Sequence, residues 1–558
     1  MATTLEPLPL TTAANRDQVF PVLTAEQVER VEKFGHVRHV EAGELLIEAG
    51  TVADRFYVVK SGGLDVLRDS RDGEQVFVTH KAGQFSGEVT LLAGRHTLAS
   101  VRAVESGEVV ELDREQLQTL VQTDGQLSEI IIRAFVLRRV ELRNRNLGDV
   151  VVVGSNHCAD TLRVREFLSR NGHPHEFLDL DADTDAQVML DKLGIQENEI
   201  PVLFCRGHEL RRPTNSTIAD CLGFNDSIDP TELRDVVIVG AGPAGLAAAV
   251  YAASEGLNVL MIEKEAPGGQ AGYSSRIENY LGFPTGISGQ DLAGRAYNQA
   301  EKFGAEIMVA KSGIELGCDR KPYRIRLEDQ SRVSGRSVII ASGASYRKLP
   351  VHGIERFEGT GVYHGATRME AQLCREEEVI IVGGGNSAGQ AAVFLADTCS
   401  KVYMLVRSKG LADTMSRYLI RRIEGNSKIE LRTLCQVTGC DGEMHLERVA
   451  WRDGTTGIEE SHDIRHIFVM TGAVPSTDWL QGCVAMDEKG FIKTGNDLTP
   501  EDLAAAKWSL PRPPYLLETT LPGVFAVGDV RANNVKRVAS AVGEGSIAVS
   551  FVHRVLNE

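Results

Sequence analysis

Basic charge, long apolar runs and paired cysteines are all scarce in these 558 residues. Acidic side chains outnumber basic ones, 77 to 60, and the formal net charge is −17. Nothing broadly basic is available to displace the counterions of a phosphate backbone, which argues against a general nucleic-acid binder. No segment approaches the ~20 consecutive apolar residues that span a bilayer, so no membrane crossing is expected. Met1–Leu10 contains neither Lys nor Arg and no long apolar run follows, so no secretory leader is expected. The nine cysteines are scattered. Only Cys435 and Cys440 lie close together, at a spacing that suits neither a redox dithiol nor a metal site, so they read as surface thiols. This is not a secreted disulfide framework, and the cytoplasm is the expected compartment.

The chain is too long for one hydrophobic core, and its length points to roughly three to five domains. From about residue 20 to 145, short strand-like runs such as Arg55–Gly62 and Glu108–Asp113 are punctuated by Gly and Asp. They read as a β-roll, followed by an apolar pattern at helical spacing over residues 117–143. A β-α-β pattern begins at Asp149, runs through a helix around Leu162–Arg170 and a strand at His175–Asp181, and reaches the apolar run Ile200–Phe204. The polar stretch Phe224–Asp235 reads as a linker. From Val236 onward strands and helices alternate, as in an α/β protein with parallel sheets.

Two glycine fingerprints divide that last part. In the first, the buried strand Asp235–Val239 feeds Gly240, Gly242, Pro243, Ala244 and Gly245, and an Ala-rich helix follows. Gly240 permits the tight turn, Gly242 lets a pyrophosphate approach the backbone, and Gly245 lets helix and strand pack closely. The helix N-terminus offers free N–H groups to phosphates. The next strand ends at Glu263, where an acid would bind a ribose hydroxyl. In the second, Glu378–Val382 feeds Gly383, Gly385, Asn386, Ser387 and Ala388. Its following strand ends in no acid but offers Arg407 and Lys409. An acid there would repel a 2′-phosphate and a base attracts it, which favours NADPH over NADH.

From Val236 on, the chain resembles thioredoxin reductase, the low-molecular-weight type of pyridine nucleotide–disulfide oxidoreductase. Gly268-Gly-Gln270 and Ile277-Glu-Asn279 resemble that family's flavin-contacting loop. Ala341-Ser-Gly343, Thr471–Pro475 and Phe525–Asp529 resemble three more of its motifs. The resemblance implies FAD and NADPH as cofactors, Asp529 on the FAD ribityl chain, Arg537, Val538 and Ala539 near the flavin pyrimidine, and a homodimer. The family's chemistry runs through a Cys-Ala-Thr-Cys motif, and the matching stretch here is Gly365-Ala-Thr-Arg368. Neither Gly nor Arg can exchange a disulfide. The nearest cysteine in sequence, Cys374, reads as a packing residue.

The two N-terminal parts carry resemblances of their own. Residues 148 to about 224 resemble a glutaredoxin or thioredoxin fold: Cys158 falls between strand and helix, where that family keeps its nucleophile, and Ile200-Pro201 matches its cis-proline. Helix N-terminal placement favours a thiolate. Thr161 occupies the second-cysteine position, so this is at most a monothiol site. Residues 20–145 resemble the cyclic-nucleotide-binding domain, with Gly83–Ala103 as its phosphate-binding cassette, Gly87 and Glu88 in ligand-contacting positions and Glu88 as the ribose acid. The arginine that pairs with the cyclic phosphate falls on Thr97, and Arg95 is out of register, so binding of cyclic AMP is expected to be weak. No helix-turn-helix follows.

The expected fold class is α/β: two Rossmann-like dinucleotide-binding domains, preceded by a β-roll (cyclic-nucleotide-binding-like) domain and a thioredoxin-like domain. The expected boundaries are 1–147, 148–228, 233–349 with 475–558 for FAD, and 350–474 for NADPH. Three functions stay open. One is an NADPH-dependent flavin reductase acting on a thiol, a disulfide or a small redox protein, with Cys158 as the catalytic thiol. That enzyme is expected to be regulated through the N-terminal domain. Another is a redox sensor, in which FAD reads the nicotinamide redox state and conformation passes to or from the N-terminal domain. The third is a ferredoxin- or flavodoxin-type reductase, although no extension follows the FAD domain to cover the flavin.

Overall fold

The computed structural model describes residues 16–70, 73–87, 91–92, 94–144, 150–181, 195–443, 445–480 and 482–558. Glu88 lies outside them. Five antiparallel strands form the β-roll: β1 (His36–Val40), β2 (Leu45–Ile47), β3 (Arg55–Ser70), β4 (Gly73–Lys81) and β5 (Ser100–Asp113). Two helices follow, α1 (Arg114–Thr123), capped by the Asp113 carboxylate on the Gln116 N–H, and α2 (Gly125–Asn144). Arg138 of α2 is buried and donates to the carbonyls of Val19, Phe85 and Gly87, fixing the helix across the cassette.

The second unit has a four-stranded sheet in the order β7-β6-β8-β9. Its strands are β6 (Val150–Gly154), β7 (Glu176–Asp179), β8 (Val202–Cys205) and β9 (His208–Arg211). β6 and β7 are parallel, and β8 and β9 run antiparallel to their neighbours. Between β6 and β7 lies α3 (Ala159–Arg170), and after β9 comes α4 (Asn215–Leu222). The Ile200–Pro201 peptide is cis, as the sequence suggested.

The stretch read as a linker is part of the packing instead. Phe224 is buried in the same apolar cluster as Val236 and Ile238, and Asn225 exchanges both amide hydrogen bonds with the Val309 backbone. Polar composition marked a loop as far as Glu232, while Leu233–Asp235 already belong to β10, and it could not show that the Asn225 amide serves as an extra rung on a sheet edge.

The third part begins with β10 (Leu233–Val239), α5 (Pro243–Ser254) and β11 (Val259–Glu263). α6 (Gly289–Lys302), β12 (Glu306–Val309), β13 (Gly313–Gly317), β14 (Tyr323–Leu327) and β15 (Arg332–Ile340) follow. The sheet order is β12-β11-β10-β15-β14-β13, with β26 (Val524–Ala526) on β15. α5 is apolar all round because it is covered on both sides, by the sheet and by the C-terminal helix Val538–Leu556. A Cβ on Gly545 would stand 2.1 Å from the Ala244 carbonyl, so that glycine sets the helix–helix distance.

A second parallel sheet, β17-β24-β18-β19-β20, is built from β17 (Val362–Tyr363), β18 (Glu378–Val382), β19 (Lys401–Val406), β20 (Ile429–Thr433) and β24 (His466–Val469). A three-stranded sheet, β21 (Cys435–Asp441), β22 (Arg448–Asp453) and β23 (Glu459–His462), flanks it. α7 (Arg368–Leu373) and α8 (Asn386–Leu395) belong to this half. The short antiparallel pair β16 (Ala344–Tyr346) and β25 (Ala473–Pro475) carries the chain between the two halves, which also meet where Ser274 bridges to Ala366 and where Arg422 pairs with Glu278. No helix among the described residues is long and apolar enough to cross a membrane.

The cysteines depart from their sequence reading. Cys205 is joined to Cys221 and Cys318 to Cys483. Cys435 is buried rather than exposed, with its thiol pushed up by burial, and Cys440 is half-buried with its thiol pushed up to about 11 for the same reason. Cys374 is fully buried, in keeping with a packing role.

Candidate functional site

The two fingerprints open onto one continuous cleft of about 2400 Å³. At the first, Gly240 has φ +106° and a Cβ there would lie 2.3 Å from the Ala341 carbonyl, so the turn requires glycine. Gly242 is the N-cap of α5, with Pro243 at the first helical position. A Cβ on Gly242 would meet nothing closer than 4.0 Å and would point into the cleft, leaving a bare backbone for a pyrophosphate. Gly245 is the packing glycine, where a Cβ would be 1.9 Å from the Gly240 carbonyl. The second fingerprint repeats this logic. Gly383 has φ +147° and no room beside the Met470 carbonyl, Gly385 caps α8 with open space before it, and Ala388 is buried. Both cradles fit the phosphates of a dinucleotide.

The remaining expected contacts gather on the same walls. Ala244, Gln270, Asn279, Asp529, Arg537, Val538 and Ala539 line the same cleft as the first fingerprint. Val538 and Ala539 form the first turn of the last helix, so its N-terminus faces the cleft. Burial pushes the Asp529 carboxyl up, and Lys536 opposes that. Glu263 is buried at the end of β11; one oxygen accepts from the Ala241 N–H at 2.8 Å and the other from the Glu265 N–H at 2.9 Å. The acid therefore also braces the fingerprint turn. Asn386, Ser387 and the exposed Arg407, one residue past β19, line the cleft beside the second fingerprint.

The stretch Gly365-Ala-Thr-Arg368 lies against the flavin loop. Ala366 bridges to Ser274, and a Cβ on Gly365 would come within 2.9 Å of the Tyr273 ring. Thr367 caps α7 in a reciprocal capping box with Glu370. Sequence reasoning missed a third wall. Ala159, Asp160, Arg163, Glu166 and Arg170 of α3 line the cleft as well, although their helix lies outside both fingerprint units. A charged helix face reads as solvated in sequence, and nothing local signals that it is covered.

Cys158 is the N-cap of α3, half-buried, one residue outside that wall. Thr161 behind it is buried. In the β-roll, Gly87 has φ +89° and backs onto the Phe56 ring. The Thr97 hydroxyl donates to the Glu48 carbonyl at 2.8 Å. Arg95 is turned out of the cassette: its guanidinium stacks on Phe224 at 4.4 Å and donates to the Tyr297 hydroxyl on α6. Gly87 thus belongs to the β-roll and not to the cleft, whereas Cys158 stands directly beside the cleft-lining Ala159.

Comparison with known proteins places this geometry. The chain belongs to the family described as pyridine nucleotide-disulphide oxidoreductase, whose sequence profile matches residues 234–545. The profile described as cyclic nucleotide-binding domain matches residues 37–124. Thioredoxin reductase of Bacillus subtilis (strain 168) is 32% identical over 330 residues, covering 59% of this chain and 96% of the relative. That of Mycolicibacterium smegmatis is 31% identical over 327 residues, covering 58% and 97%. The crystal structure of Lactococcus lactis thioredoxin reductase superimposes with a TM-score of 0.52 at 28% identity, over 58% of this chain and all of the other. The protein is thus a thioredoxin-reductase-like, FAD-dependent NADPH oxidoreductase with an N-terminal cyclic nucleotide-binding domain.

Proposed function

We propose that the protein carries reducing equivalents from NADPH through FAD to a disulfide or another small acceptor, without a dithiol at Gly365 and Arg368 and with Cys158 as the acceptor-side thiol. The observation that carries this reading is the shared cleft: two glycine cradles open onto it, and the helix headed by Cys158 forms its third wall. FAD, when bound, supplies hydride acceptance from the nicotinamide and returns the electrons to a second substrate. The α5 and α8 N-termini hold the two pyrophosphates, Glu263 and Asp529 accept from sugar and ribityl hydroxyls, and Arg407 pairs with the 2′-phosphate. For a disulfide acceptor, one NADPH and one proton yield NADP⁺ and two thiols. The unit spanning residues 150–224 is read as a thioredoxin-type fold, supported by its β7-β6-β8-β9 order and the antiparallel β8.

The cyclic nucleotide-binding domain is read as regulatory rather than as a cyclic AMP receptor. With the Thr97 hydroxyl spent on a backbone carbonyl and Arg95 facing Phe224 and Tyr297, a cyclic phosphate finds no cation at either position. Arg95 instead links the cassette to α6.

Anaerobic stopped-flow mixing with NADPH tests the function. The flavin band is expected to bleach and then to return on addition of a small aromatic disulfide. Bleaching with no reoxidation by disulfide, ferredoxin or flavodoxin would overturn the enzyme reading in favour of a sensor. Coenzyme choice is a separate expectation. An arginine–phosphate contact is worth ~1.5–3 kcal/mol, so Arg407→Ala should lose about ten- to a hundredfold in NADPH preference. Flavin reduction rates at limiting NADPH and NADH measure it, and an unchanged ratio would remove Arg407 from the site.

A further inference from the structure

We infer that Arg170, which lies outside the residues matched by the oxidoreductase family, is a positioning residue for the flavin site: the last residue of α3 holds the flavin loop against the fingerprint turn. This rests on the proposed FAD site and goes beyond it. The loop over residues 265–273 carries Gly268 and Gly269, both at positive φ, and Gln270. Its Gly268 N–H donates to the Ala241 carbonyl at 2.8 Å. Gly269 lies so near the turn that a Cβ on it would come 3.0 Å from the Gly242 Cα. The distance between loop and turn therefore sets the width of the slot into which Gly242 faces.

Arg170 holds that loop from the α3 wall of the cleft. One guanidinium nitrogen donates to the Ala266 and Gly269 carbonyls, each at 3.3 Å. The guanidinium plane stacks on Tyr273 at 4.0 Å, and Tyr273 in turn covers Gly365. Its charge is balanced by Glu166 at 3.5 Å and Glu265 at 3.8 Å, and the side chain is only 9% exposed. Two neighbours reinforce the contact: Asn171 donates to the Glu265 carbonyl at 3.2 Å, and Gln290 donates to the Ser169 carbonyl at 2.7 Å. Only a planar, forked donor can reach backbone carbonyls while stacking on a ring; a lysine offers a point charge and no face. Because Cys158 caps the same 12-residue helix, the thiol and the flavin loop sit at opposite ends of one rigid rod.

The full-length protein provides the test, through Arg170→Ala, Arg170→Lys and Arg170→Gln. The FAD dissociation constant, followed by flavin fluorescence, should rise about ten- to a hundredfold in Arg170→Ala, the range for losing charge-assisted hydrogen bonds. The visible flavin band should lose its fine structure. Arg170→Lys should restore less than half of the lost affinity on a logarithmic scale, whereas a role confined to charge balance predicts full rescue and would overturn the proposal. If Arg170→Ala does not fold, the Lys and Gln variants carry the same comparison. A folded Arg170→Ala within twofold of wild type, with an unchanged spectrum, would also overturn it. A wild-type protein that takes up no FAD would sink the site itself, a different result.

Discussion

Gly242→Val protein is expected to purify folded but colourless. The backbone at Gly242 has φ −70° and ψ −179°, which valine adopts without strain, and nothing within the chain stands nearer than 4.0 Å to the added Cβ. The substitution should therefore leave the melting temperature close to that of the flavin-free wild type, as is usual for a change that meets no packed neighbour, and below that of the FAD-loaded protein by the stabilisation the ligand supplies. The new methyl groups instead occupy the space before the α5 N-terminus, where a pyrophosphate must come within hydrogen-bonding distance of backbone N–H groups. Losing that approach should cost at least ~3 kcal/mol, about a hundredfold in FAD affinity. Gly240→Val makes the contrasting control. There φ is +106° and the Ala341 carbonyl lies 2.3 Å from the would-be Cβ, so that protein should fail to fold rather than merely lose its colour. The ratio of flavin to protein absorbance and a thermal melt separate the two. Wild-type flavin content in Gly242→Val would mean that FAD does not lie on this turn.

Cys158→Ser should divide the catalytic cycle at one point. Reduction of the flavin by NADPH should proceed at the wild-type rate, because no cleft-lining residue is changed. Turnover with a disulfide acceptor should fall to roughly one per cent or less, because a serine hydroxyl does not supply the anion that a thiol does. The other free cysteines are poor substitutes. Burial pushes the thiols of Cys374, Cys399, Cys435 and Cys440 up, which disfavours their thiolates. Cys158 differs in standing at a helix N-terminus, half-exposed, next to the cleft. A stopped-flow trace gives the first rate and steady-state thiol release the second. Undiminished turnover in Cys158→Ser would show that electrons leave the flavin by another route.

The legibility of this site follows the range over which each contact acts. Gly242 and Gly245 are readable because phosphate approach and helix packing are decided within six residues, and Gly240 because its positive φ belongs to the turn itself, although the Ala341 carbonyl that also crowds it could not be read. Arg407 is readable for the same reason, since a strand end fixes its place relative to the second fingerprint. Arg170 is not readable: its partners Ala266 and Gly269 lie 96 and 99 residues away, and a charged helix face carries no mark of what covers it. Arg95 shows the same limit from the other side. It looks like a displaced phosphate ligand, yet its partner Tyr297 is 202 residues distant and belongs to a different unit. The pairing of Cys318 with Cys483, 165 residues apart, is likewise invisible to any argument from spacing.

The slender joint between the two nucleotide-binding halves makes the second half a transplantable cassette. Tyr346 and Ala473 face each other across a single antiparallel ladder, as do Ala344 and Pro475. Paired residues in such a ladder stand only about 5 Å apart, so a two-residue turn can close the gap. The buried members of the apolar clusters inside the insert come only from residues 351–470, so its core is its own, and the contacts its removal breaks include Ser274 with Ala366, Tyr273 with Gly365 and Glu278 with Arg422. At the level of the gene, the coenzyme-reading half can be cut out, or exchanged for one with another coenzyme preference, by splicing at two adjacent points.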